Sequence, residues 1–168
     1  VAIGEDSVAI GNEAKANSNR SVAIGKKAEA NVDYSVAIGD DAQATVESSI
    51  ALGANSVADR TVGSVGLYAP DEDKDSLTWK ANAGAVSVGS SVEGQEITRQ
   101  ITNVAAGSAD TDAVNVAQLN AVKAAAGKKV SLVDGENTKA TLVKDDATGT
   151  QYKVDVDLSK YAKTEDVA

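Results

Sequence analysis

Ser7-Val8-Ala9-Ile10-Gly11 returns as Ser21-Val22-Ala23-Ile24-Gly25, as Ser35-Val36-Ala37-Ile38-Gly39 and, softened, as Ser49-Ile50-Ala51-Leu52-Gly53, with a period of 14 residues and no slippage. A second element rides on it: Ala14-x-Ala16, Ala28-x-Ala30, Ala42-x-Ala44 and, two residues early, Ala54-x-Ser56. A short fixed period marks a solenoid, because one such coil cannot bury its own apolar side and must stack on its neighbours. Within the coil, Val8 and Ile10 alternate with Ser7 and Ala9, the period of two of a strand built from good strand formers. Gly11 ends that strand, and the alanines supply a second short one. Two strands and two turns in each repeat describe a flat, narrow β-roll. Parallel stacking places Val8, Val22, Val36 and Ile50 in one ladder and Ile10, Ile24, Ile38 and Leu52 in the next. Both ladders are expected to fill the roll. Ala9, Ala23, Ala37 and Ala51 would then form a shallow outer stripe suited to close packing by other chains.

Composition narrows the function. Of the 168 residues 42% are hydrophobic, but aromatics are only 3%, with no Phe and one Trp, so stability must come from repetition and chain-to-chain burial. A formal net charge of -9 argues against a nucleic-acid partner. With no Cys and no His, thiol chemistry and the commonest transition-metal ligand are absent. Nucleophilic catalysis would need a Ser or Thr activated by Lys, or a carboxylate pair, yet Lys26-Lys27 and Asp40-Asp41 fall in repeat turns with nothing to form a pocket. No phosphate loop occurs. No enzyme activity, cofactor or metal is expected. Val1-Ala2-Ile3-Gly4 reads as a strand fragment of a longer array, and no signal peptide or run of 18 apolar residues is present.

From Asp59 to Ala85 the period breaks. Gly63, Gly66, Pro70 and the run Asp71-Glu72-Asp73-Lys74-Asp75 read as an excursion, with Leu77-Thr78-Trp79 a short strand returning to the roll. Trp79 is expected to anchor the insertion, a stacking role toward a sugar or a partner being the alternative. The acidic run does not match the EF-hand loop and reads as solvated. Ala85-Val86-Ser87-Val88-Gly89 then echoes the coil strand.

Between Glu96 and Ala125, Ile97, Ile101 and Val104 are spaced for a helix or for an extended crossing. Thr111 or Asp112 can cap the following helix, whose stripe Val116, Leu119, Val122 and Ala126 is thin and of coiled-coil type, with Gly127 as its stop. Farther on, Val130 and Leu132 face Ala140 and Leu142 across Asp134-Gly135, a hairpin turn signal. A second turn falls at Asp145–Gly149, Tyr152, Val154, Val156 and Leu158 form the cleanest alternating strand, and Tyr161 to Ala168 reads as the start of a helix.

The Ser-Val-Ala-Ile-Gly coils resemble the head repeats of trimeric autotransporter adhesins of Gram-negative bacteria. Ile101-Thr-Asn-Val-Ala-Ala-Gly107, followed by Thr111-Asp-Ala-Val-Asn-Val-Ala-Gln-Leu-Asn120, is similar to the neck motif joining such heads to their stalks. The resemblance implies an all-β chain with short helical segments: a homotrimeric left-handed parallel β-roll head, a neck, a short coiled-coil segment and a small β connector domain. The corresponding divisions are head repeats at 1–58, insertion and last head coil at 59–95, neck and start of coiled coil at 96–126, and connector at 127–168. It also implies that Ile97, Ile101, Val104, Val116, Leu119 and Val122 make interchain contacts, and that a membrane anchor lies outside this segment. The implied function is that of a bacterial surface adhesin attaching to host matrix proteins such as collagen, fibronectin or laminin, or to neighbouring cells, with autoaggregation and biofilm formation. A non-binding spacer of a trimeric surface or phage fibre is the other possibility.

Overall fold

The structure is a computed structural model in which residues 1–126, 132–146 and 149–158 are described. Its contacts divide the chain into two units, Val1–Val114 and Asn115–Ala168.

In the first unit each coil supplies one longer and one shorter strand: β1 (Val8–Ile10) and β2 (Lys15–Ala16), β3 (Val22–Ile24) and β4 (Glu29–Ala30), β5 (Val36–Ile38) and β6 (Gln43–Ala44), β7 (Ile50–Leu52) and β8 (Val57–Ala58). The longer strands form a parallel sheet in the order β1-β3-β5-β7-β9, the last being β9 (Val86–Ser87), and the shorter ones a parallel sheet β2-β4-β6-β8. Register follows the repeat, with Val8 opposite Val22, Val22 opposite Val36, Val36 opposite Ile50 and Ile50 opposite Val86.

The two sheets approach so closely that only small side chains fit between them. Ala14, Ala16, Ala23, Ala28, Ala30, Ala37, Ala42, Ala44 and Ala51 are fully buried, and the largest fully buried side chains are Ser21, Ser35, Ser49 and Ser56. Each serine has its hydroxyl satisfied by a carbonyl, as where Ser21 Oγ donates to Ser18 O and Ser35 Oγ to Val32 O, both at 2.6 Å. The expected roll core is therefore inverted. Val8, Ile10, Val22, Ile24, Val36, Ile38, Ile50 and Leu52 lie on the outer face, with Ile10 58% and Val8 42% exposed and Val22, Ile24, Val36 and Ile50 half-buried. Alternation had the right period and the wrong phase, and a shift of one residue sends every side chain of a strand to the opposite face. A coil this short leaves no room for β-branched volume inside.

The coil glycines are required by contact between coils. A Cβ on Gly25 would lie 2.3 Å from the carbonyl oxygen of Gly39, and the same clash recurs from Gly11 to Gly25.

The insertion is a narrow hairpin-like excursion. Val65 bridges Lys80 in antiparallel sense, Gly63 N donates to Ala81 O at 2.9 Å and Gly66 N to Trp79 O at 2.6 Å. Leu77-Thr78-Trp79 is turn and not strand; Trp79 N donates to Ser76 O. β9 then resumes the stack with Ser87 beside Ala51, as the echo at 85–89 predicts.

The second unit holds α1 (Val116–Ala126) and an antiparallel hairpin of β10 (Thr138–Asp146) and β11 (Gly149–Val156). Asn115 and not Thr111 or Asp112 caps α1. Its Oδ1 accepts from Gln118 N at 3.1 Å while Gln118 Oε1 accepts from Asn115 N at 3.3 Å, a reciprocal capping box. Leu142 stands opposite Tyr152 and Ala140 opposite Val154, with an irregularity at Val143. The expected pairing of Leu132 with the 140–142 stretch does not form. Asp134-Gly135 turns instead into β10, bridging Thr138. The expected helix stop at Gly127, Val130, the middle of the turn at 147–148 and the helix start at 161–168 lie outside the described residues.

Candidate functional site

The two outer faces of the roll are chemically unlike. One carries the ladder Val8, Val22, Val36, Ile50, Val86 beside Ile10, Ile24, Ile38, Leu52, an apolar surface whose side chains stay half-buried or exposed among the described residues. The opposite face carries Lys15, Glu29 and Gln43, then Asn17, Asn31 and Thr45. Lys15 Nζ meets Glu29 Oε1 at 2.6 Å, and Asn17 Nδ2 donates to Asn31 Oδ1 at 2.8 Å. The hydrogen bond with Lys15 holds the Glu29 carboxyl below its ordinary range against the opposing effect of burial, and the same bond raises the Lys15 ammonium. Along one corner, Asn19 Oδ1 accepts from Glu5 N and Asp33 Oδ1 from Asn19 N, both at 3.0 Å, so these polar residues stitch coils together.

The end of the roll is closed by a residue that no local pattern singles out. Between coils, Asp41 N donates to Lys26 O and Asn55 N to Asp40 O; among the described residues no further coil supplies the next backbone donor, to Ala54 O. Arg99 Nη2 takes that place at 2.7 Å, while Nη1 donates to Ser56 Oγ at 3.0 Å and to Val88 O. The guanidinium lies over Gly53, where a Cβ would stand 3.0 Å from Arg99 Cζ. Arg99 thus stands in for the missing coil. It lies 45 residues from Ala54, beyond any spacing rule.

Beside the insertion is a cavity of about 440 Å³ whose lining includes Arg60, Thr61, Leu77, Trp79, Asp110 and Thr111. Trp79 is half-buried and packs on Gly66, where a Cβ would lie 3.5 Å from its ring. Among the described residues, no group of three or more His, Cys, Asp or Glu is placed to hold a metal ion.

Of the residues expected at chain-to-chain contacts, Ile97 pairs with Ser90 through two 2.9 Å backbone bonds and is half-buried, as is Val104, while Ile101 is 71% exposed. The chain from Ile97 to Val104 is not helical, and it bends at Asn103, whose φ is 61°. Asp112 organises the turn before the helix: its Oδ2 accepts from Ser108 N at 2.8 Å and Ala109 N at 3.0 Å, and these bonds hold its carboxyl below the ordinary value. On α1, Val116, Leu119 and Val122 are all exposed, and no residue of the helix is buried.

Residues 2–28 and 33–56 match two copies of the YadA head domain repeat, and residues 100–142 match the coiled stalk of trimeric autotransporter adhesins. The chain is 52% identical over 79 residues to the autotransporter adhesin BadA of Bartonella henselae, covering 45% of this chain and 2% of that protein. It is 41% identical over 117 residues to the trimeric autotransporter adhesin AtaA of Acinetobacter sp. (strain Tol 5), covering 67% of this chain and 3% of that protein. The crystal structure of the collagen-binding domain of the Yersinia adhesin YadA superposes with a TM-score of 0.50 at 34% identity, over 71% of this chain and 53% of that one. The chain thus spans only a few per cent of the length of these curated relatives.

Proposed function

Since this chain belongs to the trimeric autotransporter adhesins and carries their YadA-like head and stalk repeats, we propose that it forms part of a homotrimeric fibre at the bacterial surface and contributes to attachment. The observation that carries this is the uncovered Val/Ile face of the roll. Fully burying a Val, Ile or Leu side chain is worth roughly 1.5–3 kcal/mol, so eight half-exposed ones represent on the order of 8 kcal/mol per chain that a monomer forgoes. Three parallel left-handed rolls meeting along this face would recover it and turn the polar Lys15–Glu29 face outward. Ile97, Ile101 and Val104 in the first unit and Val116, Leu119 and Val122 in the second supply further apolar surface for the same threefold contacts.

Adhesion follows from what such a trimer displays. Every surface feature occurs three times, so weak sites act together through avidity. The ligands are host matrix proteins, with collagen first because the structurally similar Yersinia domain is collagen-binding, or the surfaces of neighbouring cells. One observation favours a spacer role instead: much of the outward polar face is already satisfied by its own ladders, Lys15 with Glu29 and Asn17 with Asn31. Sedimentation equilibrium should give a trimer, and the trimer should bind immobilised collagen, fibronectin or laminin saturably. A folded trimer that binds none of them and does not clump cells favours the spacer, and a folded monomer removes the assembly reading.

A further inference from the structure

We propose that the cavity beside the insertion binds a neutral pyranose, with the sugar's C–H face on the Trp79 indole and its hydroxyls between Arg60 and Asp110. The indole is a held platform. Trp79 N and O are both engaged, by Ser76 O at 3.1 Å and Gly66 N at 2.6 Å, and the ring rests on the glycine. Other charges near the cavity are already used: Lys80 Nζ is paired with Asp75 at 2.7 Å, and Asp112 accepts from Ser108 and Ala109. Arg60 and Asp110 line the same cavity, and among the described residues neither side chain has a hydrogen-bond or ion-pair partner. The site therefore offers an apolar aromatic surface, one free guanidinium fork and one free carboxylate, with the hydroxyl-bearing Thr61 and Thr111 beside them.

That combination selects among ligand classes. A pyranose has an apolar face and a rim of hydroxyls that donate and accept at once, so one ligand can receive from the guanidinium and give to the carboxylate. An anionic ligand would meet Asp110 and a chain of net charge -9. An apolar peptide side chain would cover both charges and satisfy neither. A volume of about 440 Å³ accommodates one or two sugar rings.

This inference deepens the adhesive reading by giving it a glycan ligand class, and it can be tested apart from that reading. Trp79 is the single tryptophan of the chain, so indole emission reports this cavity directly. The folded assembly is titrated with the methyl glycosides of glucose, galactose, mannose and N-acetylglucosamine. At least one should produce a saturable change in emission. Arg60→Ala and Asp110→Ala, at exposed positions, should each weaken that response roughly 10-fold or more with melting unchanged. No response to any of the four, a response indifferent to both substitutions, or an indole that acrylamide cannot reach in the assembly would each overturn the proposal. Adhesion to matrix proteins without a sugar response sinks the glycan site alone. A sugar response without any adhesion leaves the site standing and removes the adhesive reading.

Discussion

Arg99 is where the roll should be easiest to open selectively. Its side chain makes three hydrogen bonds to the last coil: to Ala54 O at 2.7 Å, to Ser56 Oγ at 3.0 Å and to Val88 O. Bonds from a charged donor contribute about 1.5–3 kcal/mol each when buried, but the Arg99 side chain is largely exposed, so roughly 1 kcal/mol apiece is appropriate. Arg99→Ala should then cost about 3 kcal/mol, and Arg99→Lys nearly as much, since an ammonium cannot occupy all three acceptors in the plane of a fork. A solenoid distributes such a loss unevenly, because coils are coupled only to their neighbours. Amide exchange should therefore quicken at Gly53 and Asn55, whose N–H groups donate to Ile38 O and Asp40 O, while Gly25 and Lys27 two coils away stay protected. Uniform loss of protection along all coils, or full retention at Gly53 and Asn55, would show that Arg99 does not close the roll.

Three further outcomes are expected. Ala37→Leu forces volume into an interior where Ala37 has no exposed surface, and should lower stability by about 1–3 kcal/mol per chain in thermal melts, whereas Ile38→Ser on the outer face should leave secondary structure intact and shift sedimentation toward monomer. Leu119→Asp sets three carboxylates together on the helix stripe and should abolish assembly at micromolar concentrations; a variant that sediments as the parent does contradicts the proposed axis. The Asp112 carboxyl is depressed in the folded state, so its contribution is present above the ordinary Asp value of 3.8 and is lost as pH falls through the lower folded value. Melting should accordingly fall with acidification below that point, and Asp112→Ala should be less stable near neutral pH and show less of this acid sensitivity.

How far the fold was readable depended on the kind of information each feature carries. The period of 14 and the position of the longer coil strands follow from the Ser-Val-Ala-Ile-Gly repeat, because stacking in register demands repetition, whereas the last short strand places Ala58 opposite Ala44, two residues beyond the expected Ala54-x-Ser56. The facing of those strands was not readable, since alternation has two phases. The usual choice, large residues inward, presumes a core thick enough to hold them. Alanine at both Ala-x-Ala positions was the available clue that it is thin. Asn115 with Gln118 was legible as a capping box but competed with Thr111 and Asp112, which lie just upstream. Arg99 and the placement of Arg60 and Asp110 around one cavity depend on the path of the insertion and the chain after it, which no local pattern describes.

The thin interior also sets what the roll can be for. Each coil advances the stack by one strand spacing, about 4.8 Å, for 14 residues. The same 14 residues in a helix would climb about 21 Å. A roll is thus a poor way to gain height and an effective way to gain circumference, since every step adds a full turn of outward-facing side chains. Lengthening or shortening it is possible only in whole coils, because a partial one would break the glycine contacts above and below it. Reach and display are consequently separate properties of such a chain: a long helix adds distance from the cell without adding much surface, while an added coil enlarges the displayed surface and leaves its distance from the cell almost unchanged.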